Sequence, residues 1–165
     1  MITKVFKDLV RFEGFRDKPY LCSAKKLTIG YGRNLEDNGI SRQEAEMMMF
    51  FDVCRIMDEL NKQVNFWVHQ PVVVKVILIQ MAYQMGVGGL LSFKKFLNAL
   101  SKRNYEIAIV EMLDSKWAKQ TPKRAEYLVN YLKYMPIEDN TTQWKNDMRT
   151  IIEINNNLNS FSLFE

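Results

Sequence analysis

Three side chains near the N-terminus carry the groups that acid-assisted cleavage of an acetal needs. Glu13 could protonate a leaving oxygen. Cys22 carries a thiol, a potential base or nucleophile, and Thr28 a hydroxyl that can donate or accept a hydrogen bond. Taken singly, each has a plainer reading: a solvated helix-end glutamate, a buried structural cysteine and a β-branched strand residue. Their spacing gives them joint meaning, so the elements that position them come next.

Residues 2 to 13 carry Ile2, Val5, Phe6, Leu9, Val10 and Phe12, the spacing of one buried helix face. Gly14 follows at once and stops the helix. Glu13 therefore sits at the negative end of the helix dipole, which disfavours a carboxylate charge and suits a proton donor. Tyr20-Leu21-Cys22 and Leu27-Thr28-Ile29 read as the arms of a β-hairpin around Ser23 to Lys26. Side chains alternate along a strand, so register decides whether Cys22 meets Thr28. Pairing Cys22 with Leu27 puts them on opposite faces. Pairing Cys22 with Thr28, or a bulge, puts them together, and the sequence leaves both open. Gly30 and Gly32 flank Tyr31 and permit an unusual backbone or close approach of a ligand.

Glu13, eight residues, Cys22, five residues, Thr28 resembles the catalytic signature of phage-type lysozymes, glycoside hydrolase family 24. There the pattern is Glu, eight residues, Asp or Cys, five residues, Thr, and Thr28-Ile29-Gly30-Tyr31-Gly32 is similar to the family's next segment. Farther on, Gln80-Met81-Ala82-Tyr83-Gln84-Met85-Gly86, Ser115-Lys116-Trp117 and Gln120-Thr121-Pro122-Lys123-Arg124-Ala125 are similar to the family's C-terminal lobe. The likeness runs from about residue 3 to 134.

The resemblance implies an α+β, predominantly helical, two-lobed lysozyme-like fold, one domain over 1–165. A small N-terminal β-hairpin lobe spans about 14–40, with helix 2–13 packing on the C-lobe. A connecting helix covers about 41–62 and a larger helical C-terminal lobe about 63–165. It further implies a muramidase cutting the β-1,4 bond between N-acetylmuramic acid and N-acetylglucosamine in peptidoglycan, for host cell lysis. In that reading Glu13, Cys22 and Thr28 face each other across a sugar-binding cleft, with Glu13 as general acid, Cys22 in the water-activating position and Thr28 positioning water. Cys22 could also be a nucleophile or a shape-preserving residue. Water activation ranks first because the family inverts, and Lys18, Lys25 and Lys26 are candidates for lowering the thiol pKa. Asn34, Tyr83, Gln84, Gln120 and Thr121 are the expected substrate-binding residues, and Trp117 and Arg124 the supporting ones. Arg124 is expected to fix the orientation of Glu13. Phe96 and Glu111 depart from the family, which would have small polar or amide residues there.

Composition bounds these readings. The hydrophobic fraction is 47%, enough for a core, with ten methionines among the packing residues. Net charge is +4 and scattered, without a basic run, so no nucleic-acid partner is expected. Two cysteines, Cys22 and Cys54, and one histidine, His69, fit no metal spacing; no metal and no cofactor are expected. The two thiols are expected reduced, a disulfide requiring an oxidising compartment. Lys4, Lys7 and Asp8 interrupt any apolar leader. The apolar window Val72 to Met81, broken by Lys75, is too short to span a bilayer, so no stable membrane insertion is expected. The expected setting is synthesis in the host cytoplasm as a monomer, with a separate membrane-permeabilising factor opening the way to the wall.

Residues 34 to 40 read as a loop turning at Asn38-Gly39. Ser41 and Glu44 form a capping box for the following helix. A third strand is not expected. Further helices are expected at 71–85, 93–101, 105–113 and 123–134, with another near Trp144 to Ile154. Two rivals share the signature or the substrate: a lytic transglycosylase, in which Glu13 acts alone, and a non-catalytic peptidoglycan-binding module. A basic helical nucleic-acid binder is the third.

Overall fold

The computed structural model describes residues 2–134 together with Thr142, Asn146, Arg149, Thr150 and Glu153. The helix expected near Trp144 to Ile154 falls largely outside the described residues. The chain forms two compact units, and the boundary lies inside one long helix, between Met48 and Met49.

The first unit begins with α1 (Ile2–Glu13), then β1 (Arg16–Leu21), β2 (Leu27–Gly30), β3 (Arg33–Asn34) and the short α2 (Leu35–Asn38). The strands form an antiparallel sheet in the order β1-β2-β3, so a third strand does exist, two residues long. Strand β1 loses regular register between Arg16 and Tyr20, where Pro19 has no N–H to give the ladder. Residues 35 to 38, expected as loop, close one helical turn because Asn34 caps it: its Oδ1 accepts from Asp37 N at 3.0 Å. Helix α1 ends where expected, but its apolar face is not buried. Ile2, Val5, Phe6, Leu9 and Phe12 are all exposed, and α1 contains no buried residue. Periodicity marks which face is apolar; it does not supply the surface that would cover it.

Helix α3 (Arg42–Gln63) starts on the expected capping box. Ser41 N donates to Glu44 Oε2 at 2.7 Å, and Glu44 N donates to Ser41 Oγ at 3.2 Å. The Ser41 N–H first, then the Ser41 hydroxyl and the Arg33 guanidinium, hold the Glu44 carboxyl below its ordinary range.

The second unit continues with a 3₁₀ turn (Trp67–His69), α4 (Val72–Leu91), α5 (Lys94–Ser101), α6 (Tyr105–Leu113), α7 (Lys116–Gln120) and α8 (Pro122–Tyr134). Helix α7 was not foreseen; Ser115 Oγ caps it by accepting from Ala118 N at 3.0 Å. The core holds Leu60 of α3, Ile77, Leu78 and Met81 of α4, Phe96 and Leu100 of α5, Met112 of α6 and Leu128 of α8. Phe96 is therefore core rather than cleft. Helix α4 is longer than the apolar window suggested. It reaches Leu91, 20 residues, and by length and composition alone is long and apolar enough to cross a membrane. It is nonetheless the central helix of this core, with half of its most apolar stretch buried and a non-helical break at Gly86 (φ 76°, ψ 158°).

Candidate active site

Thr28 is the one fully buried residue among the described residues of the first unit. It lies opposite Tyr20 across β1–β2 and opposite Asn34 across β2–β3. Directly opposed residues share a face, so Tyr20, Thr28 and Asn34 form one row. Leu21 pairs with Leu27, and Cys22 N donates to Lys26 O at 3.0 Å, leaving only Ser23 to Lys25 in the loop. This register is tighter than either arrangement expected from sequence. It sets Cys22 on the face of Tyr20, and therefore diagonal to Thr28. Lys25 makes the tight loop work by adopting φ 61°, the left-handed position of a three-residue hairpin loop.

The Cys22 thiol is held below its ordinary pKa. The largest cause is the backbone N–H of Lys26; those of Ala24 and Cys22 itself and the Thr28 hydroxyl add to it, against partial burial. The loop amides, rather than the lysine charges expected from sequence, are thus the main stabilisers of a thiolate. The Thr28 hydroxyl has one proton and two takers. It donates to Lys26 O at 2.9 Å, and it also helps to lower the Cys22 thiol pKa. With a neutral thiol the carbonyl holds it, and ionisation of Cys22 favours rotation toward sulfur. Both cysteines are free, and burial raises the Cys54 pKa, so Cys54 is the less ready of the two to ionise.

Glu13 is exposed, and its carboxylate rests on Gly32. A Cβ built at Gly32 would lie 2.7 Å from Glu13 Oε2, and Gly32 has φ +79°. Gly32 takes the unusual backbone that the Gly-Tyr-Gly segment permits, and the group that comes close to it is the chain's own acid. Asn34 is largely committed to α2: besides its cap bond, its Nδ2 donates to Asp37 Oδ2 at 2.9 Å.

In the second unit one carbonyl gathers three of the expected residues. Gln84 Oε1 accepts from Trp117 Nε1 at 2.9 Å and from Arg124 Nη1 at 3.2 Å. Trp117 is buried, whereas Tyr83, Gln84 and Arg124 are exposed. Thr121 donates its hydroxyl to Trp117 O at 2.9 Å, closing α7, so its oxygen remains as an acceptor. Gln120 is exposed beside it and takes no part in this network. Glu111, the other departure from the family pattern, lines a surface pocket of about 440 Å³ with Ser92, Phe96, Asp114 and Ser115.

The profile of the phage lysozyme family matches residues 10–131. This chain belongs to that family. Among similar proteins, one named probable T4-type lysozyme 1, from Dictyostelium discoideum, is 34% identical over 59 residues, which is 36% of this chain and 35% of that protein. Its paralogue, probable T4-type lysozyme 2, is 34% identical over 56 residues, 34% of this chain and 33% of that one. A peptidoglycan hydrolase of Pseudomonas phage phiKMV is 27% identical over 132 residues, 74% of this chain but 14% of that protein. The chain thus spans about a third of the length of the first two of these curated relatives and 14% of the third.

For a phage lysozyme of this sequence, inspection of residue types misses two contributors. One is the backbone of Lys26, whose N–H and C=O serve Cys22 and Thr28; peptide groups leave no mark in residue identity. The other is Gly32, visible in the sequence as a glycine but not as the seat of Glu13.

Proposed function

We propose that this phage lysozyme hydrolyses the β-1,4 bond between N-acetylmuramic acid and N-acetylglucosamine in bacterial peptidoglycan, for host lysis. Glu13 gives its proton to the bridging oxygen as the glycosidic bond breaks. The Cys22 thiolate takes a proton from a water, whose oxygen bonds to the anomeric carbon from the opposite side. Configuration inverts, and the product carries a reducing end. Thr28 holds that water by its hydroxyl. Tyr83, Gln84, Gln120 and Thr121 contact the saccharide, with Asn34 contributing its remaining N–H, and Trp117 and Arg124 fix Gln84. The protein acts as a monomer without cofactor or metal and without nucleic acid. Made in the host cytoplasm, it reaches the wall through a separate membrane-permeabilising factor, while α4 stays a core helix.

The observation that carries this reading is the hairpin register that puts Cys22 on the sheet face of Thr28, with the thiol pKa lowered there. A lytic transglycosylase, using the sugar's own hydroxyl, would have no use for a thiol tuned toward its anion. Mass spectrometry of products from purified peptidoglycan tests it. Reducing ends are expected; 1,6-anhydro ends would overturn hydrolysis, and no cleavage at all would leave a wall-binding module.

A further inference from the structure

Lys26, whose backbone serves Cys22 and Thr28, also makes side-chain contacts with α2 that none of the roles above uses. Its carbonyl accepts from Cys22 N at 3.0 Å and from Thr28 Oγ1 at 2.9 Å. Its N–H is the largest cause of the lowered Cys22 pKa. One peptide segment therefore orients both groups to which the proposed chemistry assigns the water. Its ammonium reaches away, to α2, where Asp37 Oδ1 lies at 2.9 Å and Glu36 Oε1 at 3.3 Å. Glu36 Oε2 also accepts from Leu27 N at 3.4 Å, the residue between Lys26 and Thr28. Asp37 is itself fixed, through its amide and its carboxylate, by Asn34.

We propose that Glu36, Asp37 and Lys26 form a positioning clamp, in which two carboxylates of α2 grip the hairpin tip and so hold Cys22 and Thr28 in register for reaction. It deepens the function proposed above and rests on it for its catalytic meaning. The three side chains are positioning residues, since none of them has to touch substrate. The loop needs such a grip. Lys25 occupies a left-handed conformation that a side chain disfavours, and Ser23, Ala24 and Lys25 are exposed. Exposed ion pairs add little to global stability, so the clamp acts on local geometry rather than on folding.

That difference gives a test by sign. The charge that interacts with the thiol is the Lys26 ammonium, and Glu36 and Asp37 of α2 pair with that ammonium. In a Cys54→Ser background, the alkylation rate of Cys22 by iodoacetamide is followed against pH for the parent and for Glu36→Gln/Asp37→Asn. Coulomb's law alone predicts that loss of two negative charges favours the thiolate and lowers the midpoint. Loss of the clamp loosens the amide and hydroxyl donors and raises it. The expected result is a rise of about half a unit, or roughly threefold slower alkylation on the acid side of the transition. The thermal midpoint should stay unchanged and lysis of purified walls should fall in parallel. Lys26→Met should raise the midpoint as well, and Lys26→Arg should restore it. An unchanged or lowered midpoint in the double variant overturns the clamp. A raised midpoint in a protein whose parent cuts no peptidoglycan would uphold the clamp while defeating the proposed function.

Discussion

At the scale of single residues the proposed chemistry rests on three atoms and one missing one. Among the described residues, Glu13 is the carboxyl seated against a glycine, its Oε2 2.7 Å from where a Cβ at Gly32 would lie. Glu13→Gln is expected to abolish wall clearing while leaving the circular dichroism spectrum unchanged; a folded, fully active variant would refute the acid role. Gly32→Ala places a methyl group against that carboxylate and forces a side chain into φ +79°. The strain should cost about 1–2 kcal/mol in denaturant unfolding. A displaced acid should slow lysis by roughly a hundredfold. For Cys22, the sign of the pH dependence follows from its lowered pKa: the active thiolate is lost as pH falls through that value. Cys22→Asp titrates in the carboxylate range, so the acid limb of the rate profile should move to lower pH with lysis retained. An acid limb that stays in place would show that position 22 is not the base.

At the scale of elements, caps and turns set where the reactive residues stand. The hairpin loop between Cys22 and Lys26 decides which face the thiol takes, because one residue of slip would reverse it. Helix α2 forms from a stretch that resembles a plain turn, and its two carboxylates reach the hairpin. The capping box of α3 is independent of both. Ser41→Ala removes the acceptor for Glu44 N and should cost about 0.5–2 kcal/mol by chemical denaturation, with wall-lysis rates unaffected. A large loss of activity would mean that the start of α3 also shapes the site.

At the scale of the molecule the two units are built differently. The second has a continuous apolar core from α3 to α8, whereas the described part of the first buries only Thr28 fully and is held by strand pairing, caps and surface ion pairs. Leu100 is completely buried in the second unit. Leu100→Ala should destabilise by about 2–5 kcal/mol, measured by urea unfolding, since the emptied volume is lined by packed helices. A smaller cost would mean that α5 and its neighbours collapse onto the gap. Lys75, also buried there, lies with its ammonium 5.9 Å from the Trp67 ring centre and 3.3 Å from Val68 O, which reconciles a charge with a core helix.

The sequence alone determined what depends on neighbours in the chain. The Glu13, Cys22, Thr28 spacing carried the family; the Ser41–Glu44 box and most helix limits followed from periodicity and capping, which act over one or two turns. Tertiary structure decided what depends on pairing across a distance. Strand register set the thiol's face and brought it under the amides of its own loop. A third strand and a capped turn formed where only a loop was legible, and one carbonyl of Gln84 collected Trp117 and Arg124 from more than thirty residues away. The apolar stripe of α1 marks the same limit from the other side: the pattern was readable, but burial requires a second surface, and no local rule contains one.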